Sequence, residues 1–201
     1  MDKHTVIQFF DHCAPFWDDD MVRNEAVIKR ILDNGGIRAG VRVLDVACGT
    51  GVLFPDYLAR GVSEVVGVDI SPEMVRIAAK KFPQERVRVL CADAEQITFD
   101  SPFDCCMVYN AFPHFPDPDT LIHNLAQNLR DGGRLSIAHG MSRAALDRHH
   151  SHGAESVSNR LMSETELRKH MSRYFDVDIA ISNDEMYQVS GIKRPGRADN
   201  F

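Results

Sequence analysis

The feature that most constrains this chain is an apolar strand pattern that leads directly into a glycine turn. The segment reads Val43-Leu44-Asp45-Val46-Ala47-Cys48-Gly49-Thr50-Gly51, and a helical pattern follows it. Glycines let a ligand approach the backbone, and the N–H groups at the start of a helix favour polar or anionic ligand atoms. The segment therefore predicts a ligand-binding strand–turn–helix unit.

Strands and helices alternate along the rest of the chain. Short apolar runs predict strands at 41–46, 65–69, 86–91, 103–108, 134–139, 175–181 and 186–192. Helical spacing and capping residues predict helices at 6–13, 24–34, 52–60, 71–82, 117–130, 143–150 and 163–173. Only turn residues separate the last two strands, which fits a hairpin, because parallel strands need a crossover of about a dozen residues. The pattern predicts an α/β fold with a doubly wound, mostly parallel sheet and one antiparallel strand at its end.

The chain is expected to form a single domain over residues 1–201, since one core usually serves roughly 100–200 residues. It divides into N-terminal helices at 1–38, a core containing the glycine turn at 39–139, an insert at 140–162, and a closing helix and hairpin at 163–201.

Composition and charge narrow the possible partners. There are 23 Lys and Arg against 29 Asp and Glu, a net charge of −6, and no basic stripe, so no nucleic-acid partner is expected. The apolar runs are far shorter than the roughly 20 residues that span a bilayer, and no secretory signal is visible, so no membrane partner is expected. The five cysteines form no Cys-x-x-Cys pair. This predicts a reducing, cytoplasmic location and no structural zinc site.

Acidic residues follow the next two predicted strands. Asp69 ends the second strand, where a carboxylate can accept both hydroxyls of a ribose, and Asp93 follows the third strand within reach of an adenine edge. Because the carboxyl ends of parallel strands meet at one rim of the sheet, Asp45, Asp69 and Asp93 are expected beside the glycine turn. The sequence therefore predicts a nucleotide-like ligand there.

These segments resemble those of the class I S-adenosylmethionine-dependent methyltransferases. Residues 43–51 look like the first motif of that family, 66–70 its acidic second-strand motif and 91–95 its adenine-side motif. Residues 103–115 resemble the fourth-strand segment that faces the substrate, and 129–137 the segment before the fifth strand. The resemblance implies a seven-stranded Rossmann-like sheet ordered 3-2-1-4-5-7-6, with its last strand antiparallel and S-adenosylmethionine as cofactor.

The resemblance also implies which residues surround that cofactor. The methionine moiety is expected against Asp45 and the turn around Ala47, Gly49 and Gly51. The ribose is expected at Asp69, the adenine between Ile70 and Met74, and its amino edge at Asp93 and Ala94, with Asn110 facing the methyl donor.

Two other functions remain alternatives. A nicotinamide-dependent oxidoreductase also uses a glycine turn, but Phe54 occupies the position where a dinucleotide fingerprint needs a third small residue for close helix packing. A non-catalytic module that only binds S-adenosylmethionine would keep the same motifs. The expected function is methyl transfer to a small-molecule acceptor.

The segment after the fourth strand bears on the acceptor. Tyr109-Asn110-Ala111-Phe112-Pro113-His114-Phe115 lacks the Asn/Asp-Pro-Pro-aromatic tetrapeptide associated with methylation of nucleobase and glutamine nitrogens. Together with the acidic net charge, the absence of this tetrapeptide favours a small metabolite as the methyl acceptor. Its nucleophilic atom can be oxygen, sulfur or nitrogen.

Histidines at the same rim are candidate catalytic groups, because their unperturbed pKa lies near neutrality. His114 follows the fourth strand, His139 closes the fifth, and His149 and His150 lie in the insert. We expect His114, His139 and one of the insert pair to line the acceptor pocket as bases or orienting groups. The alternatives are a solvated insert, a histidine bonded to backbone, or a metal site that includes His152, although the spacing matches no closed zinc pattern.

The N-terminal helix carries an aromatic stripe of Phe9, Phe10, Phe16 and Trp17. Core packing is the simpler interpretation of such a stripe. The family resemblance implies instead a lid over the donor site, with His12 and Trp17 facing the acceptor. The acidic run 18–20 is interpreted as a solvated turn.

Overall fold

The computed structural model describes residues 2–19, 21–150 and 157–196, without the side chains of residues 147–150. Seven strands form one sheet: β1 (Arg42–Val46), β2 (Glu64–Asp69), β3 (Val87–Cys91), β4 (Phe103–Tyr109), β5 (Leu129–His139), β6 (Phe175–Ser182) and β7 (Tyr187–Lys193). Their order is β3-β2-β1-β4-β5-β7-β6. The α/β fold class and the strand order implied by the resemblance are confirmed.

The directions in which the strands pair show which edge of the sheet is expected to bind ligands. β1 is parallel to β2 and β4, β2 is parallel to β3, and β4 is parallel to β5. β7 is antiparallel to both β5 and β6. The carboxyl ends of β1 to β5 therefore lie along the same edge of the sheet, where open α/β sheets bind their ligands.

The helices lie between the strands as the capping pattern predicts. They are α1 (Lys3–Cys13), α2 (Glu25–Asn34), α3 (Phe54–Ala59), α4 (Pro72–Lys81), α5 (Pro118–Asn128), α6 (Arg143–His150) and α7 (Glu164–Met171). The side chain of Ser71 accepts from the Met74 amide at the start of α4, and Ser163 and Glu166 form a capping box at α7. Such caps satisfy backbone N–H groups that have no partner inside the helix.

Several element boundaries differ from the sequence-based expectation, that of β5 by the most. β5 begins at Leu129 rather than 134, since Leu129 already pairs with Phe103 before the register shifts. α3 begins at Phe54 rather than 52, because the turn after β1 continues beyond Gly51, which has φ of 85°. The predicted elements are otherwise present in the order expected.

Both faces of the sheet are buried, as a doubly wound fold requires. On one face, Leu44, Val66 and Val108 belong to a core cluster that includes residues of α5 and α7. On the other, Val43 and Val65 pack with residues of α2, α3 and α4. Neighbouring residues of a strand thus pack into the helix layers on opposite faces of the sheet, because side chains alternate across a strand.

Cys105 and Cys106 are both buried free thiols in β4, which agrees with their interpretation as strand core. Within the described ranges, none of the helices has both the length and the apolar character needed to cross a bilayer.

Candidate active site

A cavity of about 760 Å³ opens at the carboxyl edge of the sheet. Its floor is formed by the turns that follow β1, β2, β3 and β4, and its roof by α1 and the segment after it. The nine predicted cofactor residues on its wall are Asp45, Ala47, Gly49, Asp69, Ile70, Met74, Asp93, Ala94 and Asn110. The structure thus brings together side chains that lie up to 65 positions apart in the sequence, from Asp45 to Asn110.

The turn after β1 is tied to β2 by one carboxylate. Oδ2 of Asp69 accepts from the amide N–H of Gly49 at 2.8 Å, and Oδ1 accepts from that of Ser71 at 2.9 Å. Gly49 has φ of 54°, and the nearest atom to a Cβ added there would be Trp17 Nε1 at 3.7 Å. A Cβ there would make only ordinary van der Waals contacts, so the positive φ of Gly49 is what favours glycine at this position on the cavity floor.

Gly51 is the one predicted cofactor residue that does not line the cavity. A Cβ added there would lie 2.7 Å from the Phe82 ring and 2.8 Å from the Phe54 ring, at φ of 85°. Close packing of α3 against Phe82, rather than room for a ligand, explains this glycine. The sequence pattern alone did not distinguish the two roles.

Two buried carboxyl groups give the cavity floor its electrostatic character. Burial, together with the charge of nearby Asp69, raises the pKa of Asp45 to about 8. Burial also raises the pKa of Asp69, although the amides of Ser71 and Gly49 favour its charged form. A buried carboxylate is costly unless it is paired or hydrogen-bonded. The floor is therefore suited to a ligand that brings positive charge or hydroxyl donors.

Asp93 is already engaged by the N-terminal helix. Lys3 Nζ contacts Asp93 Oδ2 at 2.5 Å and also forms an ion pair with Glu95. Asp93 accepts further from the amide of Glu95 at 3.0 Å and from Gln96 Nε2 at 2.9 Å. Its place on the cavity wall agrees with the predicted position, and its contact with adenine stays a prediction.

The N-terminal segment covers the cavity, and two acidic side chains hold it there. Asp11 Oδ1 accepts from Ser71 Oγ at 2.5 Å and from the Glu73 amide at 3.2 Å. Asp18 accepts from Thr50 Oγ1 and from Lys81 Nζ, both at 2.6 Å. The interpretation of 18–20 as a simply solvated turn is wrong for Asp18, since its partners lie far away in sequence.

Three of the four aromatic side chains in the predicted stripe line the cavity rather than filling a core, and Phe9 is not on the cavity wall. Phe10, Phe16 and Trp17 are on the cavity wall, together with His12. Phe16 remains 69% exposed and Trp17 38% exposed, which core side chains would not be. The lid implied by the family resemblance describes this geometry better than core packing does.

Asn110 links the ends of β4 and β5. Its φ is 55°, and its Oδ1 accepts from the Gly140 amide at 2.9 Å. A non-glycine residue in the left-handed region is uncommon and often marks a functional turn. The left-handed turn places Asn110 on the cavity wall beside Tyr109 and Met141.

Of the four histidines predicted as catalytic groups, only His114 lies on the cavity wall among those whose side chains are described. Its Nδ1 lies 2.8 Å from the carbonyl oxygen of Val157 and 3.1 Å from Ser158 Oγ, and its ring packs edge-on against Phe10 with centroids 4.9 Å apart. Lys3 and Met141 also line the cavity, and no sequence motif identified them.

His139 lies elsewhere. It is fully buried, it is not part of the cavity wall, and its ring faces Tyr187 with centroids 6.0 Å apart. It shares a face of β5 with Leu135 and Ile137, because alternate residues of a strand point the same way. The expectation that it lines the acceptor pocket does not fit this placement.

His149 and His150 end α6, and their side chains lie outside the described residues, as does His152. Across the part of the chain that the structure describes, no three His, Cys, Asp or Glu side chains gather as a metal ion requires.

The strand order and the acid-lined glycine turn define a class of protein. Residues 43–133 match the methyltransferase domain family. Together with the strand order, this match supports the class I S-adenosylmethionine-dependent methyltransferase family, whose cofactor is S-adenosylmethionine. The match gives no support to the nicotinamide alternative.

Among its relatives is the ubiquinone biosynthesis O-methyltransferase of Coxiella burnetii (strain RSA 493 / Nine Mile phase I). The two are 35% identical over 144 residues, which is 67% of this chain and 61% of the relative. The chain therefore spans less than two thirds of that protein's length.

Two solved structures share the fold. A methyltransferase complex with the Haloferax volcanii Trm112 activator superposes with a TM-score of 0.79 at 21% identity, over 92% of this chain and 98% of that one. The N-methyltransferase NodS of Bradyrhizobium japonicum, solved with S-adenosyl-L-homocysteine, gives 0.72 at 16% identity, over 94% and 98%.

Proposed function

We propose that this protein transfers a methyl group from S-adenosylmethionine to a hydroxyl group of an uncharged, largely apolar small molecule. One observation carries the proposal: a single cavity joins the acid-lined floor after β1 and β2 to an aromatic end that contains His114. Methyl transfer needs donor and acceptor side by side, about 3–3.5 Å apart, with water excluded. The cavity under the lid provides such a shared space.

The residues on the floor fit the donor. Asp69 is held by two backbone amides with its carboxylate at the cavity, which suits ribose hydroxyls, and Gly49 leaves room beside it. Asp45 and the turn at Ala47 would meet the methionine end, Ile70, Met74 and Ala94 would flank the adenine, and Asp93 would accept from its amino group. When bound, the donor supplies the methyl group of its sulfonium centre. Once that group is transferred, the sulfur is left as a neutral thioether.

The aromatic end favours an uncharged acceptor. Phe10, Trp17 and Phe115 line it, and Arg23, the arginine among the described lining residues, already has partners. Arg23 donates to the carbonyl of Val52 at 2.6 Å and pairs with Asp56 at 2.8 Å. A charged acceptor would lose its hydration at such a wall without a new partner for its charge.

A histidine beside the acceptor suits a hydroxyl nucleophile. As the C–O bond forms and the C–S bond breaks, the hydroxyl must release its proton, and we assign His114 as the base that receives it at Nε2. Relatives named as O-methyltransferases support oxygen as the nucleophile. We assign His139 no part in this step, because its side chain is buried and is not on the cavity wall.

All five cysteines are free thiols. Free thiols support the prediction of a reducing, cytoplasmic location.

The proposal is tested by turnover with His114→Gln. We would incubate the protein with S-adenosylmethionine and a panel of phenols and aliphatic alcohols and measure S-adenosylhomocysteine. The variant should lose about 100-fold in kcat, while donor affinity by calorimetry stays the same. His170→Gln is the matched control, since His170 pairs with Asp119 and neither residue lines the cavity. Tight donor binding with no product from any acceptor would favour the non-catalytic module instead.

A further inference from the structure

The segment 157–161, here called the strap, crosses the turn that carries His114. The amide N–H of Asn159 donates to the Pro113 carbonyl at 2.7 Å, and Asn159 Nδ2 donates to the Phe115 carbonyl at 3.1 Å. Two further contacts reach the His114 ring itself, from the Val157 carbonyl and the Ser158 hydroxyl. The strap thus contacts three consecutive residues of the turn after β4.

Buried side chains hold the strap at both ends. Val157 is fully buried, and Leu161 is 1% exposed and belongs to the core cluster on the α5 side of the sheet. Between them, Asn159 is exposed. A segment fixed at two points and bonded between them can resist movement of the turn beneath it.

The contact with Val157 decides which ring nitrogen of His114 carries the proton. A carbonyl oxygen only accepts, so Nδ1, 2.8 Å away, must be the donor. In the neutral ring the lone pair then lies on Nε2. Phe10 packs against the ring from the lid side and restricts its plane.

We propose that the strap is the positioning element of His114: it fixes the Nδ1–H tautomer and the ring orientation that proton acceptance at Nε2 requires. This inference rests on the proposed function of His114 as base. It gives the insert after β5 a role that uses a backbone carbonyl, a serine and an asparagine.

The test compares the ring nitrogens of His114 by ¹⁵N nuclear magnetic resonance in three strap variants. Asn159→Pro removes the N–H that bonds Pro113, Asn159→Ala removes only the side-chain bond, and Ser158→Ala removes the hydroxyl. Ser63→Ala is the matched control, because Ser63 is exposed and lies outside the cavity wall. The His114 signals are assigned by their loss in His114→Gln.

We expect the Nδ1–H tautomer to predominate in the parent and in Ser63→Ala. In Asn159→Pro the fraction of the Nδ1–H tautomer should fall toward that of imidazole in solution. Ser158→Ala and Asn159→Ala should lower this fraction by smaller amounts. Over the same series, kcat should fall by about tenfold in Asn159→Pro, while the KM for the donor stays unchanged. Asn159→Ala keeps the backbone bond, so it reports on the strap if the proline variant unfolds.

An unchanged tautomer in a folded Asn159→Pro or in both milder variants would overturn the proposal, whatever happens to activity. A shifted tautomer with an unchanged kcat would overturn the positioning role as well. If the parent methylates no acceptor, the proposed function fails, and the tautomer comparison still decides whether the strap controls the ring.

Discussion

The two ends of the cavity are built in different ways. At the donor end, Asp45, Asp69 and Asp93 come from the ends of three strands that follow one another along the chain. At the acceptor end, the lid, the turn after β4 and the strap are far apart in sequence and meet only in the folded chain. The donor end is therefore a property of the sheet, whereas the acceptor end depends on segments packed onto it.

The ends also differ in chemistry. The donor end holds buried carboxyl groups and open backbone, and the acceptor end holds aromatic rings and a histidine. Substitutions at the donor end should alter stability or donor affinity, and substitutions at the acceptor end should alter turnover or acceptor KM. The four predictions below test this division.

The largest effect is expected from pH acting on Asp45. Its folded pKa of about 8 lies above the unfolded value, so folding takes up a proton between these values. Its stabilising contribution is complete below about pH 4 and is lost as the pH rises toward 8, by roughly 3 kcal/mol between pH 5 and 8. Asp45→Asn should flatten this slope in urea unfolding of the donor-free protein.

Asp178→Asn is the control for that experiment. Its ion pair with Arg134 lowers the pKa of Asp178, so this carboxyl is ionised in both states across pH 5 to 8. The slope should persist in this variant. An equal slope in Asp45→Asn and the parent would show that Asp45 is not the group responsible.

Next in size is the donor affinity of Asp69→Ala. Loss of hydrogen bonds to a charged group, at about 1.5–3 kcal/mol each, should weaken S-adenosylmethionine binding about 100-fold in calorimetry. Circular dichroism checks that the variant is folded, because the amides of Gly49 and Ser71 lose their acceptor. Unchanged affinity in a folded variant would contradict the ribose assignment.

The two glycines of the turn should separate stability from binding. Gly51→Ala forces a Cβ against the rings of Phe54 and Phe82 and should cost roughly 2 kcal/mol of unfolding free energy. Gly49→Ala meets no atom closer than 3.7 Å, so it should cost about 1 kcal/mol for its backbone conformation and mainly weaken donor binding. The opposite ranking in thermal unfolding would contradict this division of roles.

The smallest effect is expected at the rim of the lid. Phe16 lines the cavity and is 69% exposed, so Phe16→Ser should raise the KM of an apolar acceptor roughly fivefold, which is about 1 kcal/mol of lost contact. Ile192→Ser removes another exposed apolar side chain that lies outside this cavity and should leave the KM unchanged. Equal effects of the two substitutions on the KM would contradict the assignment of the lid to the acceptor end.

Much of the fold and of the donor end was predictable from the sequence, because both depend on local patterns. Short apolar runs predict β1 and β2, and Ser71 with Pro72 predicts the start of α4. Once the strands are parallel, their carboxyl ends must share one edge, which brings Asp45, Asp69 and Asp93 to one cavity.

What the sequence determined by itself is where strands turn into helices, since propensity and capping act over a few residues. Only the tertiary structure decided that His139 faces the core while His114 faces the cavity, that Gly51 serves packing, and that Asp18 holds the lid. These outcomes depend on contacts between residues distant in the chain, such as the strap on His114. Such contacts leave no periodic pattern in the sequence, because packing geometry rather than neighbouring residue type selects them.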